Sequence, residues 1–331
     1  MRAAYYNRLG PAAEVIEVGE LAAPRPAPGE VLVQIRASGV NPHDVKKRSG
    51  WIAHEADFPV IPHGDGAGAI VEVGDGVPAA RIGERVWMCR AGRLSSSGTA
   101  AERVAVAAEL ARPLPAAMSF AEGACIAVPA VTAHTALLRD GPVAGKTVLV
   151  AGGAGAVGHL AIQLAKQEGA KVIATVSSEA KARHARAGGA DESIDYRRED
   201  VVERVRAITE GAGVDRIIEV DFGTNIAIDH AVLKPAGIIA SYSSTRVPEP
   251  VLPYYPLAFK GVTVHFVQAF IMAPEALAAM LDDIDSRLAA GTLAPTVARR
   301  FPLAETALAH ETLEAGGHIG GIVVEIEDGA H

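Results

Sequence analysis

The fold is decided by residues 148–165, which read VLVAGGAGAVGHLAIQLA. The apolar run at 148–151 predicts a short buried strand, and a glycine-rich turn follows it. After the turn, apolar residues recur at the spacing of one helix face: Val157, Leu160, Ala161, Leu164 and Ala165. The stretch therefore predicts a strand, a tight loop and an amphipathic helix, with Gly169 at the helix C-cap.

The turn itself, Gly153-Ala154-Gly155-Ala156-Val157-Gly158, matches the motif G-x-G-x-x-G. Glycines at these places allow a tight turn and let the backbone approach a pyrophosphate, whose charge is favoured by the N–H groups and dipole of the following helix. The alternative is that these glycines only allow the helix to pack closely against the strand. Because the motif lies between a predicted strand and a predicted helix, we interpret it as a dinucleotide-binding loop.

Short apolar runs and helical periods alternate downstream of the loop. Further strands are predicted at 171–176, 214–220 and 237–241, and a helix is predicted where Val201, Val205 and Ile208 share one face. This alternation is typical of a parallel sheet flanked by helices. The apolar stretch 262–267 is predicted to close an edge of that sheet.

The first ~120 residues have a different pattern, with strand-like alternation and Gly/Pro turns. Val31, Val33 and Ile35 alternate with partly polar neighbours, and the run at 70–73 enters the turn Gly74-Asp75-Gly76. We expect a compact, barrel-like β module here. With 331 residues in total, the chain is expected to hold about two domains.

Composition excludes several classes of protein. The formal charge of -8 offers no basic face, so nucleic acid is an unlikely main partner. Only Cys89 and Cys125 are present, which is compatible with a reducing compartment, and the N-terminal residues lack the apolar core of a secretory signal. Glycines interrupt the uncharged run 147–165, which argues against a membrane span. We therefore predict a cytoplasmic protein without membrane contact.

The end of the second strand indicates which dinucleotide binds. Enzymes that use NAD usually place a carboxylate there against the ribose hydroxyls. Here Ser177 and Ser178 offer neutral hydrogen bonds, and Lys181 offers a positive charge to a 2′-phosphate, which favours NADP(H). Glu179 is the competing candidate for NAD(H), and Lys181 is alternatively an ordinary solvated lysine.

Several ordered pieces of the chain together resemble one family. They are Gly39-Val40-Asn41-Pro42, Pro62-His63-Gly64-Asp65-Gly66-Ala67-Gly68, Gly83-Glu84-Arg85-Val86, Val128-Pro129-Ala130-Val131-Thr132-Ala133, and the loop at 152–158 with Ala161-Ile162-Gln163-Leu164-Ala165. In order and spacing, over nearly the whole chain, they resemble the zinc-independent quinone oxidoreductases of the medium-chain dehydrogenase/reductase superfamily, the group that includes zeta-crystallin.

The resemblance implies an α/β architecture: a GroES-like, β-rich catalytic domain and a Rossmann domain with a doubly wound parallel sheet. It implies domain limits at 1–125 for the GroES-like domain, 126–266 for the NADP-binding domain and 267–331 for a segment that returns to the catalytic domain. The active site would lie in the cleft between the domains. A homodimer or homotetramer is also expected, with 262–267 as a candidate strand for pairing across a two-fold axis.

Matching positions imply roles for individual residues. Asn41 and Thr132 would lie near the nicotinamide. Trp51 departs from the family, which often has a tyrosine in the segment after Asn41-Pro42, and its aromatic ring is a candidate to line a planar acceptor pocket. The pyrophosphate would meet Gly155, Ala156, Val157 and Gly158, with Gly153 opening the motif; the rest of the coenzyme would meet Ser177, Lys181, Tyr196, Tyr242 and Ser243. A structural Asx role for Asn41, a rim position for Trp51 and a partly covered strand-end position for Tyr196 are the alternatives.

Zinc is not expected. At the positions where related alcohol dehydrogenases carry zinc ligands, this chain has Asn41 and a displaced histidine in His63-Gly64-Asp65, and Cys89 stands alone where a four-cysteine lobe would be. A cluster of His43, His54, His63 and Cys89 is the alternative. Without a Lewis acid, a conjugated acceptor is easier to reduce than an isolated ketone.

The leading hypothesis is an NADPH-dependent oxidoreductase that transfers the nicotinamide C4 hydride to a quinone. The first alternative uses the same machinery on an activated C=C bond, as in an enone or alkenal. The second is a non-catalytic nucleotide-binding protein. No residue pattern separates these acceptors, and none is assigned as a certain catalytic group.

Overall fold

The computed structural model describes residues 1–52, 57–89, 91, 96–269 and 271–327. The strands in chain order are β1 (Arg2–Tyr6), β2 (Ile16–Glu20), β3 (Glu30–Val40), β4 (Asp65–Val73), β5 (Arg85–Met88), β6 (Arg103–Ala107), β7 (Ala111–Pro113), β8 (Thr147–Val150), β9 (Lys171–Val176), β10 (Glu192–Asp195), β11 (Val214–Glu219), β12 (Leu233–Ser241), β13 (Thr263–Phe266), β14 (Val297–Pro302) and β15 (Gly321–Glu325). The α-helices are α1 (Ala12–Val15), α2 (Pro42–Ser49), α3 (Phe120–Gly123), α4 (Ala127–Leu138), α5 (Ala156–Gln167), α6 (Glu179–Ala187), α7 (Val201–Ile208), α8 (Phe222–Val232), α9 (Tyr254–Phe259), α10 (Pro274–Ala289) and α11 (Thr306–Ala315). Short 3-10 helices occupy Ala79–Arg81, Ala108–Leu110 and Leu303–Glu305.

The chain forms two compact units. The first comprises Met1–Val128, Leu281–Ala289 and Ala294–His331, and the second comprises Pro129–Met280 and Ala290–Leu293. The limits 1–125, 126–266 and 267–331 stay predictions for the domains. Within the described ranges, no helix has both the length and the apolar character that crossing a bilayer requires.

The first unit is built on a β sheet with the order β14-β15-β3-β4-β5-β7, and β6 also pairs with β3. Apolar residues recur at every second position of β3 because these side chains face the core, where Val31, Val33 and Ile35 are buried. β3 and β4 are antiparallel, and their register sets Gly39 opposite Asp65. This pairing brings the start of α2 close to the start of β4.

The second unit contains a parallel sheet with the order β10-β9-β8-β11-β12-β13. The chain runs outward from β8 through β9 to β10, then returns to β11 and continues the other way. The switch point therefore lies between β8 and β11, and in open sheets of this kind ligands bind outside the carboxyl ends of the strands at that point.

The predicted elements of this unit are confirmed. β9 occupies 171–176 as expected, and β8, β11 and β12 overlap the other predicted strands. α5 packs on β8 and β9 and buries Leu160, Ala161, Leu164 and Ala165 of its predicted stripe, whereas Val157 in the first turn is half-buried. Gly169 has a φ of +78° and follows the C-cap residue Glu168, so the glycine lies one place beyond its predicted position. The predicted α/β class, with a β-rich N-terminal part and a Rossmann-like parallel sheet, is also confirmed.

Candidate active site

The loop at 152–158, called the glycine loop below, connects β8 to α5 at the switch point. Gly152 has a φ of +67°, a left-handed conformation that glycine adopts without a steric penalty. Thr175 at the end of β9 fixes the turn, because Gly152 N donates to Thr175 Oγ1 at 3.2 Å and Gly153 N donates to Thr175 O at 3.0 Å. The loop is thus anchored to the neighbouring strand on one side.

The three motif glycines have different reasons to lack a side chain. A Cβ on Gly153 would lie 2.7 Å from Ala174 Cβ, and one on Gly158 would lie 2.4 Å from Gly152 O. A Cβ on Gly155 would meet Gly152 O at an acceptable 3.4 Å, with nothing closer in the described part of the chain. Internal packing therefore explains Gly153 and Gly158 but not Gly155, whose open side leaves room for a ligand.

The N-terminus of α5 is also suited to an anion. Gly155 is the N-cap residue, and among the described residues no side chain caps this helix end. Gly155, Ala156 and Val157 are half-buried, so the first turn is accessible. Uncapped N–H groups and the positive end of the helix dipole favour negative charge. Together with the open side of Gly155, this geometry fits a coenzyme pyrophosphate better than a loop that serves packing alone.

The residues predicted near the adenosine phosphate follow two neighbouring strands. Ser177 comes directly after β9, and Tyr196 comes directly after β10, where its N–H donates to Val176 O at 3.1 Å. Tyr196 is 46% exposed. Ser178 caps α6 by accepting from Lys181 N at 3.4 Å, which places Lys181 in the first turn of that helix. Ser177 and Tyr196 thus lie at adjacent strand ends, with Lys181 on the following helix.

Glu179, the competing residue for NAD(H), is engaged in ion pairs. Its Oε1 lies 2.7 Å from Arg186 Nη2 and 3.7 Å from Arg183 Nη1. Two guanidinium groups therefore oppose its charge on the surface of α6. This arrangement weakens the alternative in which Glu179 binds the ribose hydroxyls.

Tyr242 and Ser243 follow β12 and are tied to neighbouring turns. Tyr242 N donates to Glu219 O at 3.0 Å, and Ser243 O accepts from Phe222 N at 3.0 Å. Burial, followed by the charge of Glu219, raises the pKa of the Tyr242 hydroxyl. The segment after β12 is thereby fixed to the end of β11 and to the first turn of α8, so both predicted residues lie at the carboxyl edge of the sheet.

In the first unit, Asn41 lies between two carboxyl groups. Its backbone N–H donates to Asp44 Oδ2 at 2.8 Å, and its side-chain Nδ2 donates to Asp65 Oδ2 at 2.8 Å. All three residues are buried, and we call them the carboxyl cluster. Asn41 also starts α2, so the structural role considered for it is present. Its place near a nicotinamide stays a prediction.

Burial controls the protonation of this cluster. It raises the pKa of Asp65 to about 8 and that of Asp44 to about 7, although hydrogen bonds from the backbone partly oppose the shift. Asp65 Oδ2 also accepts from Val128 N at 2.8 Å, whereas its Oδ1 has no hydrogen-bond partner in the described part of the chain. The Asp65 side chain is therefore a neutral acid at neutral pH, with Oδ2 receiving both donors.

His63 belongs to a buried chain of hydrogen bonds whose direction can be deduced. Thr99 Oγ1 donates to Asp65 O at 2.6 Å, so it must accept from Ser38 Oγ at 2.7 Å, and Ser38 in turn accepts from His63 Nδ1 at 2.7 Å. Burial lowers the pKa of His63 to about 3, which leaves Nε2 as an acceptor for His310 Nε2 at 2.8 Å. Both ring nitrogens of His63 are thus occupied.

This arrangement bears on metal binding. His63 has no free ring nitrogen, because Nδ1 donates to Ser38 and Nε2 accepts from His310, and Asn41 offers at most a neutral amide oxygen, which is not among the usual zinc ligands. Within the described residues, no group of three or more His, Cys, Asp or Glu side chains is arranged to hold a metal. His54, one member of the alternative cluster, lies outside those residues. The donor set therefore does not fit a catalytic zinc.

Trp51 and Thr132 are the two remaining predicted residues. Trp51 follows α2, the helix that Asn41 begins, so about 12 Å of helix separates the two. The indole is 53% exposed, and Lys46 Nζ lies 4.3 Å from its ring centroid. Thr132 is buried on α4 in the second unit. The exposed indole fits the rim alternative at least as well as a pocket.

Comparisons with known proteins identify the family of the chain. Residues 27–116 match the alcohol dehydrogenase GroES-like domain family, and residues 156–286 match the zinc-binding dehydrogenase family. Human quinone oxidoreductase is 30% identical over 313 residues, which cover 94% of this chain and 93% of that protein. A quinone oxidoreductase from Pseudomonas aeruginosa is 32% identical over 318 residues, which cover 94% and 95%.

Solved structures give the same result. A structure described as an NAD-dependent alcohol dehydrogenase superposes with a TM-score of 0.91 at 30% identity, covering 99% of this chain and 100% of that one. Escherichia coli quinone oxidoreductase complexed with NADPH gives a TM-score of 0.87 at 28% identity, covering 98% and 100%. With these relatives along its whole length, the chain belongs to the quinone oxidoreductase branch of the medium-chain dehydrogenase/reductase superfamily, a group of oxidoreductase enzymes.

Proposed function

We propose that this chain is an NADPH-dependent oxidoreductase that reduces quinones without zinc. The observation that carries the proposal is the open Gly155 at an uncapped helix N-terminus, located at the switch point of the parallel sheet. NADPH bound there would supply a hydride from nicotinamide C4. The names of the relatives, together with the NADPH in the Escherichia coli structure, support both the coenzyme and the acceptor class.

The preference for NADPH over NADH rests on the end of β9. Ser177 and Ser178 occupy the place where a carboxylate would select NADH, and Glu179 is paired with Arg183 and Arg186. Lys181 is a flexible point charge on the same helix and suits a 2′-phosphate. One structural relative is described as NAD-dependent, so a direct comparison of the two coenzymes is needed.

A quinone suits the residues of the first unit. The donor set described above does not fit a catalytic zinc, so the proposed acceptor is one whose reduction needs no metal Lewis acid. A quinone delocalises incoming negative charge over its own ring and oxygens, and positioning then supplies much of the rate. In this proposal Asn41, Trp51 and Thr132 border the acceptor, and solvent provides the later proton.

An anaerobic assay tests the function. NADPH and NADH oxidation should be followed with benzoquinone, naphthoquinone, enone and alkenal panels. We expect kcat/KM to be greatest for NADPH with a quinone. Turnover restricted to enones or alkenals would replace quinone reduction by C=C reduction, and tight NADPH binding without any turnover would favour a nucleotide-binding protein.

We also propose a homodimer or homotetramer in the cytoplasm, assembled through β13. This strand ends the parallel sheet, and Phe266 on it is 68% exposed. Exposed apolar side chains continue in the preceding segment: Val251, Leu252, Tyr254, Tyr255 and Phe259. Within the described residues β13 is an edge strand, and an edge strand that follows a segment with several exposed apolar side chains favours pairing with another chain.

Light scattering tests the assembly. Phe266→Lys should shift the chain toward monomer at micromolar concentration, because a charge would be buried in the interface. Val71→Lys, at an exposed apolar position of β4 in the first unit, is the matched control and should leave the mass unchanged. A monomeric wild-type chain would refute the proposal.

A further inference from the structure

Two acidic side chains are buried together in the second unit, close to the switch point. Glu219 ends β11 and Asp229 lies on α8, and each is only 1% exposed. Asn225 Nδ2 donates to Glu219 Oε1 at 2.9 Å, and Asp229 lies one helical turn beyond Asn225 on the same face of α8, so the two buried carboxyl groups are neighbours, and each shifts the pKa of the other. Two neighbouring carboxylates repel each other, and in a buried site this favours a proton on one of them. We call these residues the acid pair.

The surrounding donors indicate which member carries the proton. Glu219 Oε1 accepts from Asp221 N and from Asn225 Nδ2, the latter at 2.9 Å. Asp229 Oδ2 has no hydrogen-bond partner among the described residues. Donors stabilise an ionised carboxylate, and burial without donors favours the neutral acid. Asp229 is therefore the protonated member, and burial raises its pKa well above the ordinary range.

The Glu219 carboxyl group fixes the turn between β11 and α8, because it accepts from Asp221 N in that turn and from Asn225 Nδ2 on α8. The end of β11 also borders the glycine loop, since Ala151 N donates to Ile218 O at 2.9 Å and a Cβ on Gly152 would lie 3.2 Å from Val220 Cγ1. The backbone of Glu219 accepts from Tyr242 N in the segment after β12. The acid pair therefore lies within the turn that borders the loop at the carboxyl edge of the sheet.

The charged and titratable groups that face the pair come from each neighbouring element. Asp221 follows β11 and adds a negative charge, although Arg246 Nε lies 3.6 Å from Asp221 Oδ2. Tyr242 follows β12 and feels the charge of Glu219. On α8 the neighbour besides Asp229 is the neutral amide of Asn225. A second charge on the pair would therefore be added to a site that is already negative.

We propose that Glu219 and Asp229 share one proton and that, in this singly charged form, Asp229 acts as a positioning residue for the turns around the coenzyme phosphates. The proposal rests on NADPH as the coenzyme. Loss of the proton would place two carboxylates in contact and drive the turns apart, beside a ligand that is itself anionic. By linkage, alkaline pH then weakens NADPH binding, and bound NADPH makes the pair harder to deprotonate.

The test uses isosteric variants that fix the charge of the pair at one. Asp229→Asn keeps an N–H donor toward Glu219, and Glu219→Gln leaves one carboxylate on Asp229. Asp215→Asn is the matched control, because Asp215 lies at the opposite end of β11, where it binds Thr147 N and Lys234 Nζ. NADPH dissociation constants should be measured at pH 7 and 9.5, together with thermal unfolding of the coenzyme-free chains.

The measured quantity is the ratio of the NADPH dissociation constant at pH 9.5 to that at pH 7. We expect this ratio to be roughly fivefold larger for wild type and Asp215→Asn than for Asp229→Asn or Glu219→Gln. At pH 7 the acid-pair variants should bind within about threefold of wild type, since the charge is the same. Thermal unfolding of both variants should also depend less on pH over this range.

Two results would overturn the proposal. The first is an Asp229→Asn variant that keeps the full alkaline loss of NADPH affinity, and the second is a wild-type unfolding temperature with the same pH dependence as both variants. A wild-type chain that binds no NADPH at pH 7 would instead refute the proposed function and the positioning role with it. The unfolding curves would then still decide whether the pair shares a proton.

Discussion

The glycine loop of the second unit and the carboxyl cluster of the first are constructed in opposite ways. In the loop, the backbone provides the binding groups, and side chains are absent where they would obstruct. In the cluster, buried polar side chains provide the structure, and nearly every polar atom has a hydrogen-bond partner. The glycine loop depends on the absence of side chains, and the carboxyl cluster depends on hydrogen bonds made by buried side chains.

This difference determines how each region responds to substitution. Adding one methyl group to a loop glycine changes shape without changing charge, whereas removing one carboxyl group from the cluster leaves buried donors without an acceptor. The two regions should therefore fail for different physical reasons.

Gly158→Ala should have the largest combined effect on stability and coenzyme binding. Its Cβ would lie 2.4 Å from the backbone oxygen of Gly152, which cannot move without opening the loop. We expect a loss of about 3 kcal/mol in the free energy of unfolding and at least a roughly 100-fold increase in the NADPH dissociation constant. Urea unfolding and coenzyme titration measure both.

Gly155→Ala is the matched control for that variant. Its φ of -76° and ψ of 167° are accessible to alanine, and the nearest atom is 3.4 Å away. Stability should therefore change by less than about 1 kcal/mol, while NADPH binding weakens by roughly tenfold or more because the methyl group stands in the phosphate site. If Gly155→Ala lost as much stability as Gly158→Ala, Gly155 would be required for internal packing and not for phosphate binding.

Asp65→Ala tests the cluster. It would leave Asn41 Nδ2 and Val128 N buried without their acceptor. Each unsatisfied donor costs about 1–3 kcal/mol, so we expect a loss of about 2–5 kcal/mol at neutral pH by urea unfolding.

Asp65→Asn is the control for the loss of the carboxyl group. Its amide oxygen can accept both hydrogen bonds, and its neutral charge matches the protonated acid, so it should lie within about 1 kcal/mol of wild type. If Asp65→Asn were as unstable as Asp65→Ala at neutral pH, Asp65 would have to be ionised in the folded chain.

The glycine loop and its surroundings were the part of the site most accessible to sequence reasoning. Strand and helix positions followed from local periodicity, and the motif lies on consecutive residues. What the motif could not separate is the function of its individual glycines. That distinction depends on Ala174 and Thr175, which reach the loop from the next strand.

The carboxyl cluster and the acid pair were not identified from the sequence. Asp65 is 24 residues from Asn41, and His310 is 247 residues from His63, so no local period connects them. A weak signal was present, since Asp229 interrupts an apolar helix and Glu219 ends an apolar strand. A lone acidic residue in an apolar run indicates burial, but its partner is known only once the fold brings the elements together.

Lys181→Glu should have a more selective effect than the glycine and aspartate variants, because it should act on one coenzyme and not on folding. If Lys181 meets a 2′-phosphate, the reversed charge should weaken NADPH binding by roughly 10–100-fold and NADH binding by less than about threefold. Lys146→Glu makes the same charge change directly before β8, at the amino ends of the strands, and should alter the affinity for neither coenzyme. Equal weakening of NADPH and NADH would remove Lys181 from the phosphate site.

The pH dependence of stability should give the smallest effect, and its sign follows from the buried groups. Burial lowers the pKa of His63 to about 3 and that of His159 to about 4, so their contribution is lost as pH falls below about 6.5. Asp65 and Asp44 have raised pKa values, about 8 and about 7, so their contribution is lost as pH rises from the ordinary value of 3.8 through those values. The histidine and aspartate slopes oppose each other up to about pH 6.5, and only the aspartate slope remains above it, so we expect stability to fall from about pH 6.5 upward.

The alkaline limb can be assigned to the carboxyl cluster by substitution. Between pH 6.5 and 8, where the histidines are neutral in both states, wild type should lose on the order of 1–3 kcal/mol. Asp65→Asn should reduce that loss by about 1 kcal/mol, whereas Asp75→Asn, at an exposed turn, should leave it unchanged. An alkaline limb of the same steepness in Asp65→Asn would mean that hydrogen bonding to Oδ2 already holds Asp65 ionised. The cluster would then resemble the glycine loop in binding through fixed N–H donors rather than through a neutral acid.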